Sequence, residues 1–158
     1  MLLSTLILLP LLGTLIILIF SKDDNYKSNA KALKSIALII TIVDLFISLI
    51  IWFLFDNNSK HFQFVQEHYA VGHYDFYLGL DGLSIYFVLL TTLIAPISII
   101  SNWKSINSKT AYFLVIILLL ESALLLIYTV LDILMFYIFF WKYFSSFIYF
   151  NRYIWIDR

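Results

Sequence analysis

Cysteine is missing from this chain. Disulfide frameworks, zinc–thiolate sites and iron–sulfur clusters held by its own residues are therefore excluded. Only four glycines and two prolines occur in 158 residues, and no phosphate-binding glycine loop or low-complexity linker can be found. Charge is scarce as well: 13% of residues are charged, ten basic against ten acidic, so nothing suggests a basic surface for nucleic acid. The three histidines, His61, His68 and His73, match neither a helix face nor a zinc pattern, which points to solvated or hairpin-packed roles. LGLDGLS, Leu78 to Ser84, lacks the repeating oxygen ligands of a calcium loop. No spacing supports a serine or histidine nucleophile.

What the chain has instead is grease. Hydrophobic residues make up 63% and aromatic residues 19%, and the mean hydropathy is +0.96. Soluble domains are close to half apolar, so this excess places the chain among membrane proteins. The bias towards Ile, Leu, Phe, Tyr, Asn and Lys is what AT-rich codons produce. About 20 apolar residues cross a bilayer as a helix. Four runs qualify, Leu2 to Phe20, Leu33 to Phe55, Leu83 to Ile100 and Ala111 to Val130, and a fifth begins at Leu131. The first lacks a basic leader and exceeds a signal-peptide core, so it reads as a spanning helix. The expected fold class is an all-α transmembrane bundle of four to five helices.

The loops set the orientation. SKDDNYKSNAKALK holds four lysines against two aspartates, and SNWKSINSK holds two lysines and no acid. The connection from Asp56 to Asp81 holds one lysine against four acids. Lysine-rich loops stay on the cytoplasmic or matrix side, so the N-terminus and the 56–81 loop are expected on the opposite side. Within that loop HFQFVQ and YDFYLGL alternate at period two, which predicts a β-hairpin on the membrane surface. Asp81 is placed to cap the third helix with its side chain. Trp52 and Trp103 stand near span ends, as interface anchors do.

Three acids are candidates for chemistry. Asp44 lies in the middle of the second span, in TIVDLFISL, and Glu121 in the middle of the fourth, in LLLESALLL. An ionised carboxylate at mid-span costs about 2.5–3.5 kcal/mol. Such groups face a bundle interior and serve as proton or ion relays, or else stay protonated and hydrogen-bond a neighbouring helix. Asp132 opens the fifth span and reads equally as a proton-path residue or as the helix cap.

FQFVQEHY, then YDFYLGLDGLSIYFVLLTTLIAPISIISNW, then LLLESALLLIYTVLDILMFYIFF resemble the N-terminal part of the subunit 4 family of mitochondrial NADH:ubiquinone oxidoreductase, respiratory complex I. The likeness is closest to fungal members, and it covers Leu2 to Phe140. This family is one of the antiporter-like, Mrp-related subunits. The resemblance implies the opening helices of a 14-helix subunit of the membrane arm, taking part in proton translocation coupled to NADH oxidation by ubiquinone. It implies a multi-pass place in the mitochondrial inner membrane, among lipids and other membrane-arm subunits, with the N-terminus and the 56–81 loop towards the intermembrane space. It implies no cofactor and no redox centre in this chain, with FMN, iron–sulfur clusters and ubiquinone in other subunits. Glu121 matches the family's glutamate on the fourth helix, and Asp132 matches the aspartate before FYIFF. Two rival readings are a structural membrane subunit that aids assembly and a small cation/proton antiporter component.

From Trp141 the likeness stops. Family members continue FYIFFE, and that glutamate pairs with a lysine on the seventh helix; here the position is Trp141, followed by Lys142. Residues 141–158 are expected to be a shifted reading frame, the end of a split gene or read-through into an intron, with natural divergence as the alternative. Back-translation with Trp141 as UGA and a shift of one nucleotide permits ENISVPLFILIGIYGS, which restores the glutamate and a proline five residues on. The missing C-terminal helices would then come from that frame or from a second chain.

Overall fold

The computed structural model describes residues 2–20, 26–56, 61–69, 75–104 and 110–156, with side chains omitted at 26–29, 67–69, 75–76, 142, 146 and 149–156. His73 and the side chains of His68 and Lys142 thus lie outside the described set.

Five helices and one hairpin follow in order: α1 (Leu2–Phe20), α2 (Tyr26–Leu54), β1 (Gln63–Tyr69), β2 (Asp75–Leu80), α3 (Ser84–Ser101), α4 (Thr110–Thr129) and α5 (Ile133–Ile156). Four stretches, Leu2–Phe20, Ala30–Leu54, Ser84–Ser101 and Thr110–Thr129, are long and apolar enough to cross a membrane. The expected all-α transmembrane bundle is therefore observed, with the hairpin as its small β element. α2 starts seven residues before the apolar run that marks its span, inside the lysine-rich segment read from the sequence as loop. A helix satisfies its own backbone bonds, so it has no need to stop where the hydrocarbon stops.

α4 is the hub and packs against α1, α2, α3 and α5, whereas α5 leans on α4. Exposed side chains on α1 (Leu8, Leu12, Leu15, Ile19) and on α2 (Ile39, Val43, Phe46, Ile50, Phe53) recur every three or four residues. Each such row is a helix face turned outwards. Outward apolar faces suit lipid, against which every backbone group must be bonded internally.

The interior is split. One apolar cluster joins Leu3 and Leu6 of α1, Ile51 of α2, Ile85 and Val88 of α3 and Leu125 of α4 to Leu78 and Leu80 of the hairpin. A second joins Ile17, Leu33, Ala37, Ile99, Leu114 and Leu118 at the other end, with Trp103 packed against it. Between them the buried residues turn polar: Thr14, Thr41, Asp44, Ser48, Thr92, Glu121 and Ser122. At the second end the Lys34 Nζ donates to the Trp103 carbonyl at 2.7 Å, tying the start of α2 to the end of α3. Lys34 and Trp103 therefore mark one end of the bundle, and the hairpin sits at the other with the start of α1.

The hairpin is antiparallel, with Gln66 opposite Leu78 and Tyr69 opposite Asp75. Its register slips between Gln63 and Gln66, where Phe64 takes a φ of 55°. Such a bulge re-aims one side chain, and Phe64 packs against the hairpin-end cluster. The Gln63 side chain bonds both backbone groups of Asp56, clamping the strand to the end of α2. The Leu131 N–H donates to the Tyr77 carbonyl at 3.1 Å, so the hairpin also grips the α4–α5 connection.

The expected side-chain cap at Asp81 is not formed. Its Oδ1 accepts the neighbouring Gly82 N–H at 2.7 Å, and α3 begins at Ser84 behind a turn, with no side-chain cap bond at Leu83. Asp81 contributes its backbone carbonyl instead, to the Ile85 N–H. The chain turns one step later than the apolar pattern implies.

Gly13 is where α1 approaches most closely: a Cβ there would stand 2.9 Å from Ile40 Cδ1 and 3.3 Å from Leu118 Cδ1. Gly13→Ala is expected to be absorbed by the flexible ends of those side chains. Gly13→Leu is expected to wedge α1 off α2 and α4 at about 1–3 kcal/mol, read as a lower yield of the chain in membranes and earlier heat aggregation in detergent.

Candidate functional site

The buried residues of α2 include Lys34, Ala37, Thr41, Asp44, Ser48 and Ile51. Their spacing of three and four puts them on one face, opposite the lipid-facing row. Asp44 is thus carried inwards by its register and is 0% exposed. On α4 the row Leu114, Leu118, Glu121, Ser122, Leu125 and Thr129 does the same, and Glu121 is 2% exposed. Packing of α2 on α4 brings the two carboxyls close enough to interact directly.

None of their four oxygens has a hydrogen-bond donor among the described residues. The buried hydroxyls between the two clusters are engaged elsewhere. Thr14 donates to Leu11, Thr41 to Leu38 and Ser122 to Leu119, each to a carbonyl of its own helix. Ser48 and Thr92 share a bond at 2.7 Å between α2 and α3. Lys34 is bonded at the bundle end, about 15 Å along α2 from Asp44 by helical rise. A carboxyl pair of this kind forms a hydrogen bond only when one member carries a proton, since an ionised carboxylate only accepts. An O–H···O⁻ contact is among the strong hydrogen bonds. The arrangement is thus suited to holding one proton between two acceptors in the buried interior.

Asp132 is not part of this pair. Its Oδ1 accepts the Leu134 N–H at 3.0 Å and its carbonyl accepts the Phe136 N–H at 2.9 Å, so it is the N-cap of α5, at the hairpin end. Of the three acids singled out from the sequence, Asp44 and Glu121 meet and Asp132 stands apart. The meeting of the first two was missed, as was the polar belt around them. The Thr41–Asp44–Ser48 spacing could have signalled the belt, because it sets three polar groups on one helical face.

On the outer side of Glu121 lies a cavity of about 250 Å³ between α3, α4 and α5. Its polar lining comes from Thr91, Ser98, Glu121, Tyr128 and Tyr143. Asp44 does not line it.

The Ser48–Thr92 bond gives a test of the helix placement. Double-mutant cycles on Ser48→Ala and Thr92→Val are expected to give a coupling of about 0.6–1.7 kcal/mol, as interhelical hydroxyl bonds in membranes do. Because the chain has no native cysteine, Ser48→Cys with Thr92→Cys should also cross-link under mild oxidation, visible as a reducible change in gel mobility.

Comparison with known proteins places this geometry in context. The chain is 39% identical over 138 residues to NADH-ubiquinone oxidoreductase chain 4 of Mycosarcoma maydis, covering 87% of this chain and 28% of that one. It is 36% identical over 140 residues to the protein of the same name from Marchantia polymorpha, covering 87% of this chain and 27% of that one. It is 58% identical over 107 residues to an uncharacterized 50.9 kDa protein in ND4 intron 1 of Podospora anserina, covering 68% of this chain and 24% of that one. No family model matches. The chain spans about a quarter of the length of these curated relatives.

Proposed function

This chain belongs, over the segment it spans, to the NADH-ubiquinone oxidoreductase chain 4 family, and from that premise we propose that it supplies the opening helices of a proton-translocating subunit in the membrane arm of complex I. It works in the mitochondrial inner membrane among the other membrane-arm subunits. The N-terminus and the 56–81 loop face the intermembrane space, following the lysine count of the loops.

The observation that carries this reading is the Asp44–Glu121 pair. Two acids buried in the bundle interior, without a donor among the described residues, are costly to maintain. Intramembrane ionisable groups that face a bundle interior mark proton routes. Glu121 carries the proton and Asp44 is its partner. Asp132, spent on capping α5, holds the hairpin-end geometry and stands second as a proton-path residue. The test is proton uptake per NADH oxidised in inner-membrane vesicles. Glu121→Gln is expected to remove uptake. Retained uptake would favour a purely structural role.

Capping also has a measurable share. Asp132→Ala should loosen the start of α5 by about 1 kcal/mol, while Asp132→Asn, which still accepts the Leu134 N–H, should restore it. A proton-path role at Asp132 would show as loss of uptake in Asp132→Asn with α5 intact.

A further inference from the structure

The outward row of α2 does not end in apolar residues. Val43 and Ile39 are exposed, and the same four-residue ridge continues through the exposed Ser35 to the exposed Lys31. On the neighbouring α3 the outward residues Leu93, Ile97 and Ile100 lead into the turn that carries the exposed Lys104. We propose that Lys31 and Lys104 hold the phosphate of an anionic phospholipid whose acyl chains lie along these two rows. The inference goes beyond the proton-carrying reading of Glu121 and does not rest on it.

Three observations carry it. The first is that both lysines belong to one end of one helix pair. Lys34, about 4.5 Å along the axis from Lys31 by helical rise, donates its Nζ to the carbonyl of Trp103, the residue before Lys104. Lys34 is only 7% exposed, so a third positive charge is fixed behind the two exposed ones. The second is that acids are few there. Among the described residues Asp44 and Glu121 lie between the two apolar clusters, and Asp56, Glu67, Asp75, Asp81 and Asp132 stand in or beside the hairpin. Asp23 and Asp24 lie outside the described residues; with them counted, segments 21–34 and 101–109 still hold six lysines against two acids. The third is depth. Trp103 packs against the apolar cluster of this end, and tryptophan marks the headgroup level of a bilayer. Lysine lays its stem on apolar surface and keeps its ammonium in the polar layer. It binds phosphate as a point charge, and basic pockets between spanning helices take anionic head groups. Free phosphate would gain nothing from the apolar rows below the lysines, so the occupant is a lipid.

The test uses assembled complex in phosphatidylcholine vesicles doped with a phosphatidylglycerol that carries a photoreactive diazirine in its headgroup. After illumination, peptide mass spectrometry maps the adducts on this chain. They should gather at 31–35 and 101–104. A lysine near an anionic surface is worth about fivefold in affinity. Lys31→Gln with Lys104→Gln should therefore cut this labelling at least about tenfold, whereas Lys31→Arg with Lys104→Arg should keep it. Labelling that survives the glutamine pair would overturn the proposal. On the native chain, equal labelling by a phosphatidylcholine carrying the same diazirine would overturn it too, because it would show lipid packing without charge recognition. So would suppression by excess inorganic phosphate at constant ionic strength, which would make a soluble anion the ligand. Those two arms need no variant to assemble.

Discussion

Glu121→Gln is expected to stop proton uptake without unfolding the chain. Glutamine keeps the length of the side chain, and its amide N–H₂ gives Asp44 the donor that none of its oxygens has among the described residues. Packing is therefore expected to be preserved or slightly improved. What disappears is a group that can gain and lose a proton. Positioned acid–base groups contribute about 10²–10⁴-fold to proton transfer, so uptake per NADH should drop below about a tenth of the native value. Asp44→Asn should behave alike. Because groups that act as a unit are grossly non-additive, the double variant Asp44→Asn/Glu121→Gln should be no worse than either single one. Additive losses would mean two separate proton sites.

Removing the pair altogether should make the protein more stable and useless. Asp44→Val with Glu121→Leu substitutes apolar atoms for two buried carboxyls that have no donors among the described residues. Replacing buried ionic groups by hydrophobic residues of similar volume is often neutral or stabilising by about 1–4 kcal/mol. The heat-induced loss of this chain from detergent-solubilised complex should shift to higher temperature, with proton uptake absent. Asp44→Val alone leaves Glu121 buried without its carboxyl partner, and should fall below the double variant in stability. A double variant less stable than native would mean that the carboxyls hold the bundle together, and that their burial is structural.

Much of the fold was legible because the bilayer fixes helix length. The spans read at Leu2 to Phe20, Leu83 to Ile100 and Ala111 to Val130 fall within one residue of α1, α3 and α4 at their ends. The hairpin was legible because period-two alternation has few other meanings. Less was readable where the backbone is free of the membrane. α2 runs back into the lysine-rich loop, the bulge at Phe64 breaks the alternation, and Asp81 lends its carbonyl in place of its side chain. Within the candidate site, burial of Asp44 and Glu121 followed from their mid-span depth. Their pairing did not, because period alone says which face is buried and never which helix that face will meet. Only the packing of α2 on α4 shows that.

The most direct measurement of the shared proton is infrared difference spectroscopy of the carboxyl C=O band, with H₂O-to-D₂O exchange, in membranes carrying native, Asp44→Asn and Glu121→Gln chains. One protonated-carboxyl band should be present in the native chain and should be lost or shifted by either substitution, since both residues hold the same proton. Two independent bands, each removed by one substitution with the other untouched, would contradict it.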